Sequence, residues 1–199
     1  MPYPPGHRDE VRTRIVESAR KLFNRSGFDN VSVDQIMADA GLTRGGFYSY
    51  FESKSDLYAE ALACFFTDPG WKSRWKGIDV DLNAAEVVPQ IVRAYLSPQH
   101  FEDVDNSCPM VALPTDVARA GKTAKQAFEK AFKAMVEVLA GDAPQATAQA
   151  IATLCIGGMV VARALDDRAL ADDLREACTT IALQLIRDSA LKPLFSNPA

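Results

Sequence analysis

Residues 28–57 read FDNVSVDQIMADAGLTRGGFYSYFESKSDL, and the fold turns on how that stretch is punctuated. Ser32-Val-Asp-Gln35 has capping-box form: the serine hydroxyl can take the N–H three residues on, and Gln35 can reach back to the serine's own N–H. It opens a short helix with Val33, Ile36, Met37 and Ala40 on its apolar side, and Gly41 breaks it. Thr43 can cap a second short helix, running from Arg44 to about Tyr50. Ser53-Lys-Ser-Asp56 can cap a longer one carrying Leu57, Tyr58, Ala61, Leu62 and Phe65. Two short helices across a Gly-containing turn make a helix-turn-helix, whose second helix enters the major groove of DNA. In that placement Thr43, Arg44, Gly45, Tyr48 and Ser49 face outward, while Phe47 and Phe51 face a small core. Gly45 and Gly46 each cost about 1 kcal/mol against Ala in a helix. Close approach of backbone to a phosphate is a reason for them, because no Cβ intervenes.

Outward from this stretch the chain reads as helix. Upstream, Val11, Ile15, Ala19, Leu22 and Phe23 recur at spacings of three and four, predicting a helix over residues 8–26 that Gly27 stops. Residues 1–7, with Pro2, Pro4, Pro5 and Gly6, read as a flexible arm. Downstream, residues 68–83 read as a loop containing Trp71 and Trp75. Further helices are expected at 84–97, 107–120, 123–140, 144–165 and 168–190, with a turn at 98–105 and a kink at Pro114. The expected class is all-α, with about nine helices and no period-2 alternation to support a sheet. The division is a helix-turn-helix domain over 8–66 and a second helical domain over 67–199.

Composition excludes several classes of function. The chain has 199 residues, 48% of them hydrophobic, enough for a sizeable core. Its net charge of −4 argues against a uniformly basic nucleic-acid binder, although DNA binding needs only one positive face. Residues 1–60 hold eight Lys and Arg against nine Asp and Glu, so affinity must rest on a few placed charges and helix N-termini. The start lacks the pattern of a secretory signal. The least charged run, 143–162, carries Gln145, Thr147, Gln149 and Thr153 and reads as too polar for lipid. A cytoplasmic protein with no membrane contact is expected. Cys64, Cys108, Cys155 and Cys178 form no CxxC pair and have no histidine at ligand spacing, so no metal and no cofactor are expected. The histidines are His7 and His100, and no GxSxG or HExxH occurs, which argues against an enzyme. Gly121-Lys-Thr123 matches the end of a phosphate loop, but that motif's first glycine would fall at Asp116.

The stretch 28–57, with its flanks over about residues 8–66, resembles the DNA-binding region of the TetR/AcrR family. The resemblance implies an all-helical homodimer that binds double-stranded operator DNA. It also implies a variable body that binds a small-molecule inducer and releases the DNA, most often as a repressor. By position, it implies that Ser32 touches phosphate at a helix N-terminus and that Thr43, Arg44 and Gly45 lie at base edges. Tyr48 then contacts the backbone or a thymine methyl, and Tyr50 and Lys54 contact phosphate. Gly46 departs from the pattern, since that position usually bears a side chain. The alternatives are a helical ligand-binding protein without operator binding, or a small helical enzyme using Cys108 and His100.

The last two long helices are the expected dimer surface. Ile151, Leu154, Cys155, Gly158 and Val161 lie on one of them; Leu174, Cys178, Ile181 and Leu185 lie on the other. Aromatic and sulfur-bearing residues are the candidates for a pocket: Phe65, Trp71, Trp75, Tyr95, Phe101, Cys108, Met110, Phe128, Phe132, Met135 and Met159. They point to an apolar or aromatic ligand. Asn106-Ser-Cys-Pro109 reads as a helix start, where a thiol gains acidity and can sense electrophiles.

Overall fold

The computed structural model describes residues 6–67, 78–81, 83–141 and 143–190, without the side chains of 65–67 and 190. Ten α-helices and one 3-10 helix occur among the described residues, with no strand. They fall into two compact units, the first made of residues 1–69 and 104–131, the second of 70–103 and 132–199.

In the first unit, α1 (His7–Ser26) buries Val11, Ile15, Ala19 and Phe23, a stripe one turn apart. Asp9 and Glu10 in its first turn and Arg25 in its last oppose the helix dipole. Gly27 ends it at φ +76°, its N–H donating to the Phe23 carbonyl at 2.8 Å. The helix takes in His7, one residue of the expected arm; residues 1–5 lie outside the described residues. α2 (Val33–Asp39) starts on the expected capping box: Ser32 Oγ accepts from Gln35 N–H at 3.2 Å, and Gln35 Oε1 accepts from Ser32 N–H at 2.7 Å. Gly41 turns the chain at φ +69°. The expected second α-helix is instead a 3-10 helix, Arg44–Ser49. Two glycines cannot sustain α-helical spacing in so short a piece, and 3-10 geometry suits runs of this length. Thr43 is extended at its start but makes no side-chain cap. α3 (Lys54–Thr67) begins where Ser53 Oγ accepts from Asp56 N–H at 3.1 Å.

By packing, the first unit extends beyond the 8–66 read from the sequence. Pro114 divides the expected helix 107–120 into α6 (Pro109–Ala112) and α7 (Pro114–Arg119). Leu113 and Val117, with Ala124 of α8 (Lys122–Ala140), join Ile15, Phe23, Ile36, Phe47, Leu57, Tyr58 and Leu62 in one core. Each large apolar side chain buried there stabilises by about 1.5–3 kcal/mol. The Tyr58 ring meets the edges of Phe23 and Phe28, with centroids at 5.1 and 4.8 Å.

The second unit holds α4 (Val87–Tyr95), α5 (Pro98–Glu102), the rest of α8, α9 (Gln145–Arg163) and α10 (Arg168–Ala190). α5 replaces an expected turn: Ser97 Oγ caps it by accepting from His100 N–H at 3.1 Å, and Pro98 sits in the first turn where no N–H is required. α9 and α10 pack closely where Gly158 meets Cys178; a Cβ on Gly158 would lie 2.8 Å from the Cys178 sulfur. Three arginines tie this pair to the α4–α5 segment. Arg175, buried, donates to the Leu96 carbonyl at 2.9 Å, and Arg163 donates to the carbonyls of His100 and Phe101. Arg168 and Arg175 also place guanidiniums 4.5 and 4.7 Å from the Phe101 ring centre. By length and composition α9 could cross a membrane, contrary to the reading of 143–162. One face of it, with Ala148, Ile151, Ala152, Cys155 and Met159, is buried within the protomer, and the long apolar run belongs to a helix packed in this core.

Candidate nucleic-acid interface

The 3-10 helix is held from behind and bare in front. Phe47 and Phe51 are buried with their rings stacked at 5.8 Å, as their spacing predicts. Thr43, Arg44, Gly45, Tyr48 and Ser49 are exposed. Tyr48 is 66% exposed, although its ring rests edge-on against Phe47 at 5.2 Å. A phenol that exposed has no packing role of its own size and is free to reach a groove. A Cβ built on Gly45 meets nothing within 4 Å, so the backbone there is open to close approach.

The remaining expected contacts are placed differently. The Ser32 hydroxyl is occupied by the capping box, although its helix N-terminus stays exposed. Tyr50 is half-buried against the core, with the Arg8 guanidinium 5.9 Å from its ring. Lys54 is the clearest difference. Its ammonium donates to the carbonyls of Phe28 at 2.7 Å and Val31 at 2.8 Å, and sits 4.1 Å from the Phe28 ring centre. Desolvation there lowers its pKa, partly offset by Asp29. Two of its three donors are therefore committed to the loop between α1 and α2.

Sequence reading missed the residues that hold the 3-10 helix. Arg8 donates to the Ser49 carbonyl at 2.9 Å, Arg12 to that of Tyr50, and Arg14 to that of Ala40. Arg12 also pairs with Glu60 and lies 4.2 Å from the Phe51 ring centre. The signal was present, since Arg8 and Arg12 lie one turn apart beside the apolar stripe of α1. Contributions from 105–116 had no local signal. The Asp116 carboxylate accepts from Phe28 N–H at 2.8 Å and lies against Gly27. Asn24 donates to the carbonyls of Asp105 and Ser107, and Arg20 to that of Asp105. Arg25 pairs with the Asp105 carboxylate and holds its pKa below the usual carboxylate range.

Ile151, Cys155 and Gly158, expected at a dimer surface, are buried inside the protomer because α9 turns them toward its own core and α10. Cys178, also expected there, packs against Gly158 between α9 and α10. Leu154, Leu174 and Leu185 are half-buried, and Val161, Leu170 and Ile181 are about half exposed on these two helices. The pocket candidates also divide. Cys108, Met110 and Phe128 lie in the first unit; Tyr95, Phe101, Phe132, Met135 and Met159 lie in the second. The Phe65 side chain, Trp71 and Trp75 lie outside the described residues. Cys108 is fully buried, so an electrophile has no access to it in this conformation. A cavity of about 480 Å³ does exist in the second unit, but none of the expected residues lines it. Its walls are Val87, Val88, Pro89, Leu139, Leu183 and Ile186, with Glu86, Arg93 and Arg187 also lining it.

The fold and the exposed 3-10 helix together define a helix-turn-helix protein with a second helical unit. The family model for bacterial regulatory proteins of the tetR family matches residues 15–61. Among curated relatives, the chain is 41% identical over 51 residues to the HTH-type transcriptional regulator AcrR of Shigella flexneri, covering 26% of this chain and 24% of that one. It is 29% identical over 96 residues to the uncharacterized HTH-type transcriptional regulator YdgC of Bacillus subtilis, covering 48% and 49%. The chain thus spans about half the length of YdgC and about a quarter of AcrR. The fold of a TetR-family transcriptional regulator from Agrobacterium tumefaciens superposes with a TM-score of 0.68 at 18% identity, over 88% of this chain and 98% of that one. Over residues 15–61 the chain is thus similar to the bacterial regulatory proteins of the tetR family, and its fold is one that a solved TetR-family regulator shares.

Proposed function

We propose that this chain is a DNA-binding transcriptional regulator, a repressor that leaves its operator when a small molecule binds the second unit. The observation that carries the DNA-binding reading is the 3-10 helix with Phe47 and Phe51 buried behind and Thr43, Arg44 and Tyr48 exposed in front. The regulator relatives support it. A homodimer accounts for the apolar residues left on the outer faces of α9 and α10. It also supplies two reading elements for half-sites about 34–36 Å apart. Such a protein acts where the DNA is, in the cytoplasm, and the reading includes no enzymatic step. The cavity's apolar walls suit a largely apolar ligand, and Arg93 and Arg187 favour one that carries an acid group.

Selection from a random duplex library tests the reading: enrichment of a (pseudo)palindromic site is the expected result, and enrichment of nothing contradicts it. Light scattering tests the dimer. Ile181→Arg should shift the particle mass to one chain, and an unchanged mass would place the interface elsewhere.

A further inference from the structure

Arg44 is the only charged residue between Thr43 and Tyr50. Its Nη1 donates to the Asp34 carboxylate at 2.9 Å, with the side chains 66% and 55% exposed. A pair that open to water adds little to stability, so its consequence lies in what Arg44 can reach. Asp34 stands in the first turn of α2, whose start is fixed by the Ser32–Gln35 capping box, so a short side chain on a fixed backbone presents the carboxylate. A free arginine on a surface samples many rotamers and must give them up to read a base. Held through one Nη1 hydrogen, the guanidinium keeps its Nε–Nη2 edge clear of any hydrogen bond among the described residues. That edge offers two parallel N–H groups, the pattern that matches O6 and N7 of guanine in the major groove. The same carboxylate also cancels the charge of Arg44 toward phosphates, which every duplex presents alike.

We propose that Asp34 is a specificity-determining positioning residue that orients Arg44 to read a guanine and suppresses its capture by phosphate. This rests on the DNA-reading function proposed above. It predicts that an acidic side chain on the DNA-facing side of the head weakens indiscriminate binding while sharpening discrimination.

The test uses the intact chain and the duplex it enriches from a random library, with a scrambled duplex for comparison. Asp34→Asn should bind the scrambled duplex about 3–10-fold more tightly at low salt. The ratio of specific to scrambled affinity should fall about tenfold. The plot of log affinity against log salt should steepen by about 0.9, one further phosphate contact. Replacing the contacted guanine by 7-deazaguanine should weaken wild type and leave Arg44→Ala unaffected. In the Arg44→Ala background, Asp34→Asn should no longer alter the ratio. Thermal melts of each variant establish that the fold is retained. An Asp34→Asn protein with an unchanged ratio overturns this inference alone. A wild-type chain that enriches no duplex overturns the DNA-reading function and this inference with it.

Discussion

Lys54 places its charge on the loop between α1 and α2, donating to the carbonyls of Phe28 and Val31 over the Phe28 ring. Those carbonyls lie just before the capping box that starts α2, so the lysine fixes the approach to the reading unit from the side. Lys54→Met keeps the apolar stem and removes both hydrogen bonds. It should destabilise the fold by about 1–3 kcal/mol in denaturant melts; a variant as stable as wild type contradicts this role. The sequence marked Lys54 without these two partners, because a lysine opening a helix looks the same whether its ammonium turns to phosphate or to its own backbone. Tyr48 was legible for the opposite reason. Its neighbours Phe47 and Phe51 repeat four apart and must be buried, which turns residue 48 outward.

The elements that came out as expected are those whose ends are written locally. α1 stops at Gly27 and α2 starts on Ser32 and Gln35, within four residues of the event in each case. α5 falls where a turn over 98–105 is expected; Pro98 beside the Ser97 cap is a helix opener. The second helix of the reading unit failed differently. Its extent was legible, but its 3-10 form depends on Gly45 and Gly46, which supply no side chain to stabilise an α-turn. Gly45 has no positive φ and open space at its Cβ position. Gly45→Ala should therefore raise stability by about 0.5–1 kcal/mol. It should lower operator affinity, since the added methyl stands where the backbone meets a phosphate. Melts and anisotropy titrations on one preparation separate the two effects; an unchanged affinity contradicts the close approach.

At the scale of the molecule, the first unit is completed by residues far along the chain. Asp105 and Asp116 meet α1 and its terminal loop across 80 and 88 residues, a distance over which no periodicity or capping rule speaks. The compact unit that holds the helix-turn-helix therefore takes in 104–131 as well. Arg25 holds the Asp105 carboxyl below its ordinary pKa. Its contribution is present above the unfolded value of about 3.9 and is lost as the pH falls through the lower folded value. Asp105→Asn should lose stability at pH 6 and show a flatter decline than wild type below about pH 4 in melts across that range. Identical slopes contradict the attachment. Arg12, Arg25 and Arg44, three of the eight cations in residues 1–60, are paired with carboxylates, which lowers the charge offered to phosphate in line with the near balance of that segment.

The central claim is that the exposed face of Arg44–Ser49 reads DNA. Fluorescence anisotropy with the selected duplex, wild type beside Tyr48→Ala and a scrambled duplex as competitor, tests it most directly. Tyr48 is exposed and its loss should leave the melting temperature unchanged. Tight, competitor-resistant binding by wild type, weakened at least about tenfold in Tyr48→Ala, is the predicted result. Equal binding by both proteins, or binding that the scrambled duplex removes as readily, would contradict it.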